Sequence, residues 1–355
     1  MKALYFGTYD RAYPRNAQVI SCLRQVGVEV GERHRPLWGR RHNWSLGPGQ
    51  LVRVAAAERR LRREREREAD LLIVGYPGHF DIPAAVRVAR GRPVVFNPLI
   101  SLYDTLVADR GRFRRGTPSA GVLRHVDRIA FRRANLVVAD TDAHAAFFAR
   151  TFDLPPERLA SCFVGAEDRL FRPGWQPEGP FHVLFVGKLI PLHGLDTILA
   201  AARMLPEIPF RIVGSGQLNH LLEGLPANVE HVPWLEYEEL PAAYQQAGCA
   251  LGIFGPGEKA TRVIPNKAFQ ALACACPLVT ADTPAARELL RDGEDALLVP
   301  SGDPEALAAA VQRLADDAAL ATALGERGRE TYEARASEEV LGERWRGVLE
   351  RLLER

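Results

Sequence analysis

Residues 181–199 read FHVLFVGKLIPLHGLDTIL, and this stretch decides the fold. A run of apolar residues, typical of a buried strand, ends at Gly187, and an amphipathic helical pattern begins near Gly194. A glycine at the end of a strand lets a ligand approach the backbone closely. Free N–H groups at the start of the helix, with Lys188 and His193 beside them, predict a binding site for an anion.

A second glycine-rich turn follows the next apolar run, in residues 212–217 with the sequence IVGSGQ. One Gly-x-Gly turn is weak evidence for a ligand. Two such turns after consecutive strands of one sheet indicate a ligand that carries phosphate groups. Gly216 is therefore a candidate for contact with that ligand.

Short apolar runs alternate with helical patterns along the chain, which is typical of parallel sheets covered by helices on both faces. The predicted strands are Ala3–Phe6, Val28–Val30, Leu71–Val74, Pro93–Phe96, Leu136–Ala139, Leu159–Val164, His182–Val186, Phe210–Val213, Val229–Val232, Ala250–Ile253, Leu278–Thr280 and Ala296–Val299. Two consecutive sets of six strands predict an α/β protein with two Rossmann-like domains.

The joint between these domains is predicted in residues 171–180, FRPGWQPEGP, because proline and glycine interrupt regular structure there. We therefore predict an N-terminal domain at 1–172 and a C-terminal domain at 178–337. Ligands of open parallel sheets bind at the carboxyl ends of the strands. Two facing sheets would place the active site in the cleft between the domains.

The composition is that of a folded globular protein, since 47% of the 355 residues are hydrophobic and 25% are charged. No apolar run approaches the ~20 residues that a membrane span requires. Met1 leads directly into a predicted strand, with no apolar signal segment, and the five cysteines are scattered. We therefore expect a cytoplasmic protein without a disulfide framework.

Charge is distributed unevenly along the chain. Residues 1–175 hold 30 Lys and Arg against 18 Asp and Glu, and residues 176–355 hold 16 against 26. A basic half beside an acidic half suggests domains with different partners. One interpretation is a peripheral contact with the inner face of a membrane, through residues 52–68 together with 110–133. The other is that these charges are solvated on helices such as 52–68. No binding of nucleic acid is expected.

Several ordered motifs resemble those of a known family. Residues 187–194, GKLIPLHG, match a Gly-Arg-Leu-x(3)-Lys-Gly loop, and residues 263–279, VIPNKAFQALACACPLV, resemble the loop, helix and strand that follow it in that family. Residues 288–307 match its C-terminal pattern. The chain thus resembles the retaining GT-B glycosyltransferases of the family 4 type, also described as glycosyl transferases group 1.

The resemblance implies a GT-B fold and transfer of a sugar from a nucleotide-diphosphate donor to a hydroxyl acceptor, with retention of configuration and without a metal or cofactor. The C-terminal domain would bind the donor, and the N-terminal domain would bind a glycan, a lipid-linked acceptor or a small molecule. A final helix at 338–355 would pack back onto the N-terminal domain. Asp140-Thr141-Asp142 spells an Asp-x-Asp motif, but its position between a strand and a helix favours an N-cap over a metal site.

On the donor side, Lys188 and His193 are predicted to stabilise the departing diphosphate, with His193 in the place of the family's lysine. Trp234 would lie beside the nucleobase. Gln270 stands where relatives hold the ribose with a glutamate, and Arg262 stands where relatives touch the sugar with one. The full set of predicted donor-binding residues is Gly187, Gly216, Trp234, Arg262, Ile264, Pro265, Asn266, Lys267 and Gln270.

On the acceptor side, the candidates follow the first and third predicted strands. They are Gly7, Tyr9, Arg15, Asn16 and Asp81. Arg15 and Asn16 lie at a helix entrance, where an anion could bind, although a plain N-cap role for Asn16 is equally open. His79 and Asp104 are the candidate catalytic residues near the reacting sugar.

Three other functions compete with this interpretation. Because both family glutamates are replaced, a catalytically altered or inactive relative that binds a nucleotide sugar is the main alternative. A nicotinamide oxidoreductase is disfavoured, because no Gly-x-Gly-x-x-Gly follows the first strand with an acid about 20 residues further on. A periplasmic sugar-binding protein would need an export signal.

Overall fold

The computed structural model describes residues 1–11, 13–37, 48–63, 68–177 and 179–355, with the backbone alone for residues 48–52. The chain divides into two compact units. The first unit comprises Met1–Phe163 and Glu338–Arg355, and the second comprises Val164–Ser337.

The boundary between the units therefore lies before the predicted one. Residues 164–172 belong to the second unit, where Phe171 packs against the rings of Tyr237 and Tyr244. These ring contacts explain the shift, since the apolar side chain of Phe171 is fully buried there. Residue 178, the predicted start of the second domain, lies outside the described residues.

The first unit is built on a parallel sheet in which helices alternate with strands. Its strands are β1 (Lys2–Gly7), β2 (Glu29–His34), β3 (Leu71–Val74), β4 (Val94–Phe96), β5 (Leu136–Ala139) and β6 (Leu159–Ser161), and its first helices are α1 (Pro14–Gln25), α2 (Pro48–Arg63), α3 (Ile82–Ala89), α4 (Pro118–Arg133) and α5 (Asp142–Phe152). The strand order is β2-β1-β3-β4-β5-β6.

The side chains of β1 show why this sheet is buried on both faces. Leu4 and Phe6 belong to one apolar core, whereas Ala3 and Tyr5 belong to the core on the opposite face. All four are buried. Successive side chains of a strand point to opposite faces, so a run that is apolar at every position requires helices on both sides.

The second unit repeats this arrangement. Its strands are β7 (Val183–Val186), β8 (Phe210–Val213), β9 (Val229–Val232), β10 (Cys249–Leu251), β11 (Leu278–Ala281) and β12 (Leu297–Val299), and its helices are α6 (Leu195–Met204), α7 (Leu240–Gln246), α8 (Asn266–Ala273), α9 (Pro284–Arg287), α10 (Pro304–Asp316) and α11 (Ala318–Arg335). The strand order is β12-β11-β10-β7-β8-β9, and all paired strands are parallel.

The last helix, α12 (Glu338–Leu353), returns to the first unit. Its Trp345 and Leu349 share a core with Leu23 of α1. Gly342 allows the two helices to touch, because a Cβ at that position would lie 2.5 Å from the backbone oxygen of Cys22. Any larger residue at position 342 would force α12 away from α1.

All twelve predicted strands are present, with ends displaced by up to four residues. In each sheet the strand order reverses once, between β1 and β3 in the first unit and between β7 and β10 in the second. Ligands of such sheets bind beyond the carboxyl ends of the strands at this reversal. Two regions thus become candidates: the loops after β1 and β3, and the loops after β7 and β10.

Candidate functional site

The carboxyl ends of β7 and β8 form a cradle of bare backbone. A Cβ on Gly214, which has φ +127°, would lie 2.1 Å from the backbone oxygen of Gly187. A Cβ on Gly216 would lie 2.5 Å from the backbone oxygen of Leu189. The two loops therefore meet without intervening side chains, and an L-residue at position 214 would strain the backbone as well.

Lys267 lies in the first turn of α8 and points its amine at this cradle. A Cβ built on Gly187 would fall 2.7 Å from Lys267 Nζ. The residue is 6% exposed, and its Nζ has no hydrogen-bond partner among the described residues. The amine lies 3.5 Å from the ring centroid of Phe185, on β7. Burial lowers the pKa of Lys267 well below its ordinary value, because the charged form loses its hydration.

His193 lies beside this amine, since its Cε1 atom is 3.0 Å from the same built position on Gly187. The imidazole is buried and meets the ring of Phe185 edge-on, with 5.7 Å between centroids. Gly194 has φ +67° and packs directly on Phe254, which follows β10. Lys188 is exposed on the same loop. The structure thus brings two predicted residues, Lys267 and His193, together at Gly187.

The segment before α8 supplies further groups at this edge. Pro265 is the N-cap residue of α8, and no side chain caps that helix among the described residues. Ile264 is buried, and Asn266 is half-buried at the first helical position. Arg262 is buried in a short 3₁₀ turn, Ala260–Arg262. The N-terminus of α8 therefore has main-chain donors directed at the edge of the sheet where Lys267 lies.

Two predicted donor-side residues already have polar partners in this structure. The backbone N–H of Gly216 donates to Asn219 Oδ1 at 2.6 Å, so this amide is occupied and Gly216 serves close packing instead. Gln270 Oε1 accepts a hydrogen bond from the hydroxyl of Tyr244 at 3.1 Å, and the residue is 5% exposed. Trp234, after β9, is 71% exposed and accessible to a ligand.

In the first unit, Arg15 is a structural residue rather than the predicted anion site. It is 1% exposed, and its guanidinium donates to Asn97 Oδ1 at 3.0 Å and to the backbone oxygens of Phe163 and Cys162 at 2.6 and 3.0 Å. It also stacks near the ring of Trp345. These bonds tie α1 to the ends of two strands and to α12.

Asn16 is also a structural residue, and it is not an N-cap. Its Nδ2 donates to the backbone oxygens of Asp10 and Tyr76, and its Oδ1 accepts from the Tyr5 hydroxyl and the Tyr76 N–H. The N-cap residue of α1 is Tyr13. Both faces of the amide are therefore used to join α1 to the loops after β1 and β3.

His79 is sealed beneath the loop that follows β4. Its Nε2 lies 3.0 Å from the backbone oxygen of Ile100 and 3.5 Å from Asp127 Oδ1, and its Nδ1 lies 3.4 Å from the backbone oxygen of Pro77. Burial lowers the pKa of His79, and the Asp127 carboxylate opposes that effect. Because both ring nitrogens contact main-chain oxygens, His79 holds this loop in place and does not orient a hydroxyl group from solvent.

The remaining acceptor-side residues are buried as well. The hydroxyl of Tyr9 donates to Glu32 at 2.8 Å. Asp104 is 7% exposed, and its backbone N–H donates to Ser101 Oγ. Gly7 is needed for packing, because a Cβ there would lie 2.4 Å from Asp81 Oδ2. Asp81 in turn accepts the N–H and hydroxyl of Thr8. These acceptor-side residues lie at the end of β1 or in the segments that follow β1, β3 and β4, and they are buried.

The Asp-x-Asp motif forms a helix start, as predicted. Thr141 is the N-cap residue of α5 and accepts the backbone N–H of His144 at 3.0 Å. Asp140 pairs with the ring of His144 at 2.6 Å. Within the part of the chain that the structure describes, no group of three or more His, Cys, Asp or Glu is arranged to hold a metal ion.

The sequence did not predict that Glu58 and Asp81 form a buried pair of carboxyl groups. Glu58 lies on α2, is 8% exposed and interacts electrostatically with the carboxyl group of Asp81, close enough for the two to share a hydrogen bond when one is protonated. Two carboxyl groups can form such a bond only when one of them holds a proton. Burial, followed by the charge of Asp81, raises the pKa of Glu58 to about 9, although Arg62 lowers it.

This pair predicts a pH-dependent stability. Folded Glu58 keeps a proton that the unfolded chain has lost above pH ~4.5, so the contribution of Glu58 to stability falls as pH rises toward about 9. A glutamine side chain in its place has no such proton to lose. We expect Glu58→Gln to match the wild type near pH ~4 and to exceed its unfolding free energy by at least ~1 kcal/mol at pH ~8. Thermal unfolding across this pH range measures the difference.

The matched control is Glu29→Gln, whose wild-type carboxylate is 68% exposed and faces Lys2 across the surface. Its effect should stay within ~0.5 kcal/mol over the same pH range. A Glu58→Gln effect that does not grow with pH would contradict a shared proton.

Comparisons with known proteins find the strongest likeness in the second unit. Residues 180–317 match the family described as Glycosyl transferases group 1. The chain is 29% identical over 233 residues to a D-inositol 3-phosphate glycosyltransferase from Acidothermus cellulolyticus, covering 56% of this chain and 49% of that protein. It is 27% identical to D-inositol 3-phosphate glycosyltransferase 1 from Catenulispora acidiphila, covering 78% and 72%. The chain thus spans about half the length of the first of these relatives.

Solved structures extend the likeness to both units. Sucrose-phosphate synthase from Thermosynechococcus elongatus has a TM-score of 0.77 at 18% identity, with 99% of each chain covered. HepE from Anabaena, solved in complex with UDP, has a TM-score of 0.71 at 15% identity, covering 99% of this chain and all of that one. The match to glycosyl transferases group 1 thus lies within the second unit, and the two parallel six-stranded sheets have the GT-B fold.

Proposed function

We propose that this chain is a retaining glycosyltransferase that moves a sugar from a nucleotide-diphosphate donor to a hydroxyl acceptor. The observation that carries the proposal is the amine of Lys267. It is buried without a hydrogen-bond partner among the described residues, next to the bare backbone cradle that follows β7, one of the two strands between which the order of the second sheet reverses. A buried cationic group without a counter-charge is costly unless a ligand supplies one.

The diphosphate would bind against Lys267, His193 and Lys188. Negative charge develops on this group as the bond to the sugar breaks, so fixed donors there stabilise the transition state more than the ground state. The N-terminus of α8, at Asn266, would add main-chain N–H donors and the positive end of the helix dipole. Ile264 and Pro265 would form the apolar wall leading to that helix end.

The nucleoside would extend toward β9. Trp234 offers an exposed ring on which a base can stack. The ribose contact of Gln270 stays a prediction, because its Oε1 already accepts the Tyr244 hydroxyl. Arg262, in the place of an acid, would favour a donor sugar that carries a negative charge.

Retention of configuration and metal independence are part of this proposal. If the leaving phosphate accepts the proton of the attacking hydroxyl, the reaction needs no separate general base. The buried positions of His79 and Asp104 in the first unit agree with a mechanism that assigns them no proton transfer.

A donor screen tests this proposal. Purified protein is incubated with UDP-, GDP-, ADP- and CDP-sugars, with and without a chelator, and release of the nucleotide is followed. We expect turnover of one donor, unchanged by the chelator, and a product whose anomeric configuration by NMR equals that of the donor. An inverted product or loss of turnover with the chelator would reject the corresponding part of the proposal.

The replacements at Arg262 and Gln270 support a second candidate, a relative that binds a nucleotide sugar without transferring it. This candidate predicts saturable donor binding with no turnover by any acceptor tested. Restoration of turnover by Arg262→Glu with Gln270→Glu would identify these two positions as the cause.

The acceptor class is proposed from the surface of the first unit. Exposed arginines crowd the segment around α4, and an exposed Val122 (60%) lies among them. They are Arg112, Arg114, Arg115, Arg124, Arg128, Arg132 and Arg133. In the described residues, no helix is long and apolar enough to cross a membrane. We therefore propose a peripheral contact with acidic lipid, which would favour a lipid-linked acceptor in the cytoplasm.

Co-sedimentation with vesicles tests this contact. We expect binding to vesicles that contain about 30% phosphatidylglycerol to exceed binding to phosphatidylcholine vesicles by about tenfold and to weaken with salt, because ~1 kcal/mol per basic residue is gained at an acidic surface. The double variant Arg124→Glu with Arg128→Glu should remove the difference. Arg203→Glu, an exposed change in the second unit, serves as the control. Equal binding to both vesicle types would contradict the proposal.

A further inference from the structure

The amine of Lys267 lies in an unusual environment for a lysine. Its Nζ stands 3.5 Å from the centroid of the Phe185 ring and faces Gly187, and the residue is 6% exposed. Among the described residues, no carboxylate forms an ion pair with it and no acceptor hydrogen-bonds it. The open side of the amine is the backbone cradle after β7.

Basic side chains lie on the segments next to this amine in the described part of the chain. His193 faces it from the loop after β7, Lys188 lies one residue beyond Gly187 on that loop, and Arg262 precedes α8. The face of the Phe185 ring attracts a cation. Burial acts in the opposite direction and is the dominant effect, so it lowers the pKa of Lys267 well below its ordinary value.

A bound diphosphate would reverse this balance. It would place two negative charges in the cradle, within reach of an amine that otherwise has no counter-charge. The charged form of Lys267 would then be stabilised by an ion pair in a site from which water is excluded.

We propose that donor binding is coupled to the uptake of one proton by Lys267, an inference that rests on the proposed function of this site. The amine lone pair of Lys267 forms an N–H bond with a proton from the acid form of the buffer, whose bond to that proton breaks and whose conjugate base is released. Lys267 would thus enter the complex as a cation and leave it as an amine once the nucleotide departs.

The coupling has a consequence for affinity. When only the protonated form of a group binds the ligand well, the apparent affinity falls by up to about tenfold per pH unit above the pKa of the free group. Donor affinity should therefore decline as pH rises above the pKa of free Lys267, whereas the diphosphate diester itself does not titrate there.

Isothermal titration calorimetry tests the coupling. UDP-, GDP-, ADP- and CDP-glucose are each titrated at pH ~8.5 in two buffers of different ionisation enthalpy. These probes are phosphate diesters, so the proton count reports on the protein. For the member of the panel that binds, we expect net uptake of a fraction of a proton, up to one per site.

Three variants assign the proton. Lys267→Arg keeps the cation at all pH values, so it should bind the probe without proton uptake. Lys267→Met should bind at least about tenfold more weakly, also without uptake. His193→Asn should retain the uptake, because Lys267 is unchanged in this variant.

The outcomes distinguish failure of the proton coupling from failure of the proposed donor site. Binding with no uptake by the wild type, or uptake that persists in Lys267→Arg and disappears in His193→Asn, overturns the coupling and leaves the donor site intact. Failure of all four probes to bind the folded protein overturns the donor site, and the coupling with it.

Discussion

Lys267→Met should lower turnover by about 10²–10³-fold, because loss of one preformed donor at a developing charge has about that effect. The fold should survive. Methionine has nearly the same length as lysine, and it replaces a buried, unpartnered amine with an apolar group that can pack against Phe185. We therefore expect an unchanged or higher melting temperature alongside the loss of activity.

Steady-state kinetics and thermal unfolding of the same preparation measure both effects. Lys2→Met is the matched control, since Lys2 is 47% exposed in the other unit and should leave turnover unchanged. Lys188→Ala should act in the same direction as Lys267→Met, with the fold intact, because Lys188 lies on the loop of the cradle. Full turnover in Lys267→Met would remove Lys267 from the diphosphate site.

Arg15→Met should produce the largest loss of stability, about 3–5 kcal/mol, which corresponds to about 10 °C in melting temperature. The change leaves Asn97 and the backbone oxygens of Phe163 and Cys162 buried without their donor. Removing a partner from buried polar groups costs more than the bond itself contributes, because the orphaned groups cannot return to water.

Arg24→Met is the control for this experiment, because Arg24 is on the same helix but is 52% exposed. Its effect should stay near ~1 kcal/mol or less. If the Arg15→Met variant instead has the melting temperature of the wild type and a raised KM for an acceptor, Arg15 is not a structural residue. The result would then support the predicted anion site at Arg15.

The sheets could be predicted from sequence because their strands are short, apolar on both faces and separated by helical patterns. The sequence at 181–186 shows the apolar run of a buried strand. The glycines that follow it mark positions where the backbone carries no side chain. The glycine-rich turns after β7 and β8 were predicted for the same reason, although the close approach to Gly187 is made by Gly214, whereas Gly216 was the predicted residue.

The roles of the side chains in the first unit could not be predicted from the sequence. Arg15 and Asn16 look like ligands of an anion because they are polar and follow a strand. Their partners, however, lie up to 148 residues away and are mostly main-chain oxygens, which a sequence does not display. Glu58 was missed for a related reason: on a helix of many charged residues, nothing in the sequence marks the one carboxyl that faces inward.

The most direct test of the account is the affinity of the folded chain for UDP, GDP, ADP and CDP, compared between the wild type and Lys267→Met. Equilibrium titration measures this affinity, and circular dichroism verifies that both proteins are folded. We expect one nucleotide to bind the wild type, and we expect Lys267→Met to bind it at least about tenfold more weakly. Equal affinity in the two proteins, or no binding by a folded wild type, would contradict a diphosphate site at Lys267.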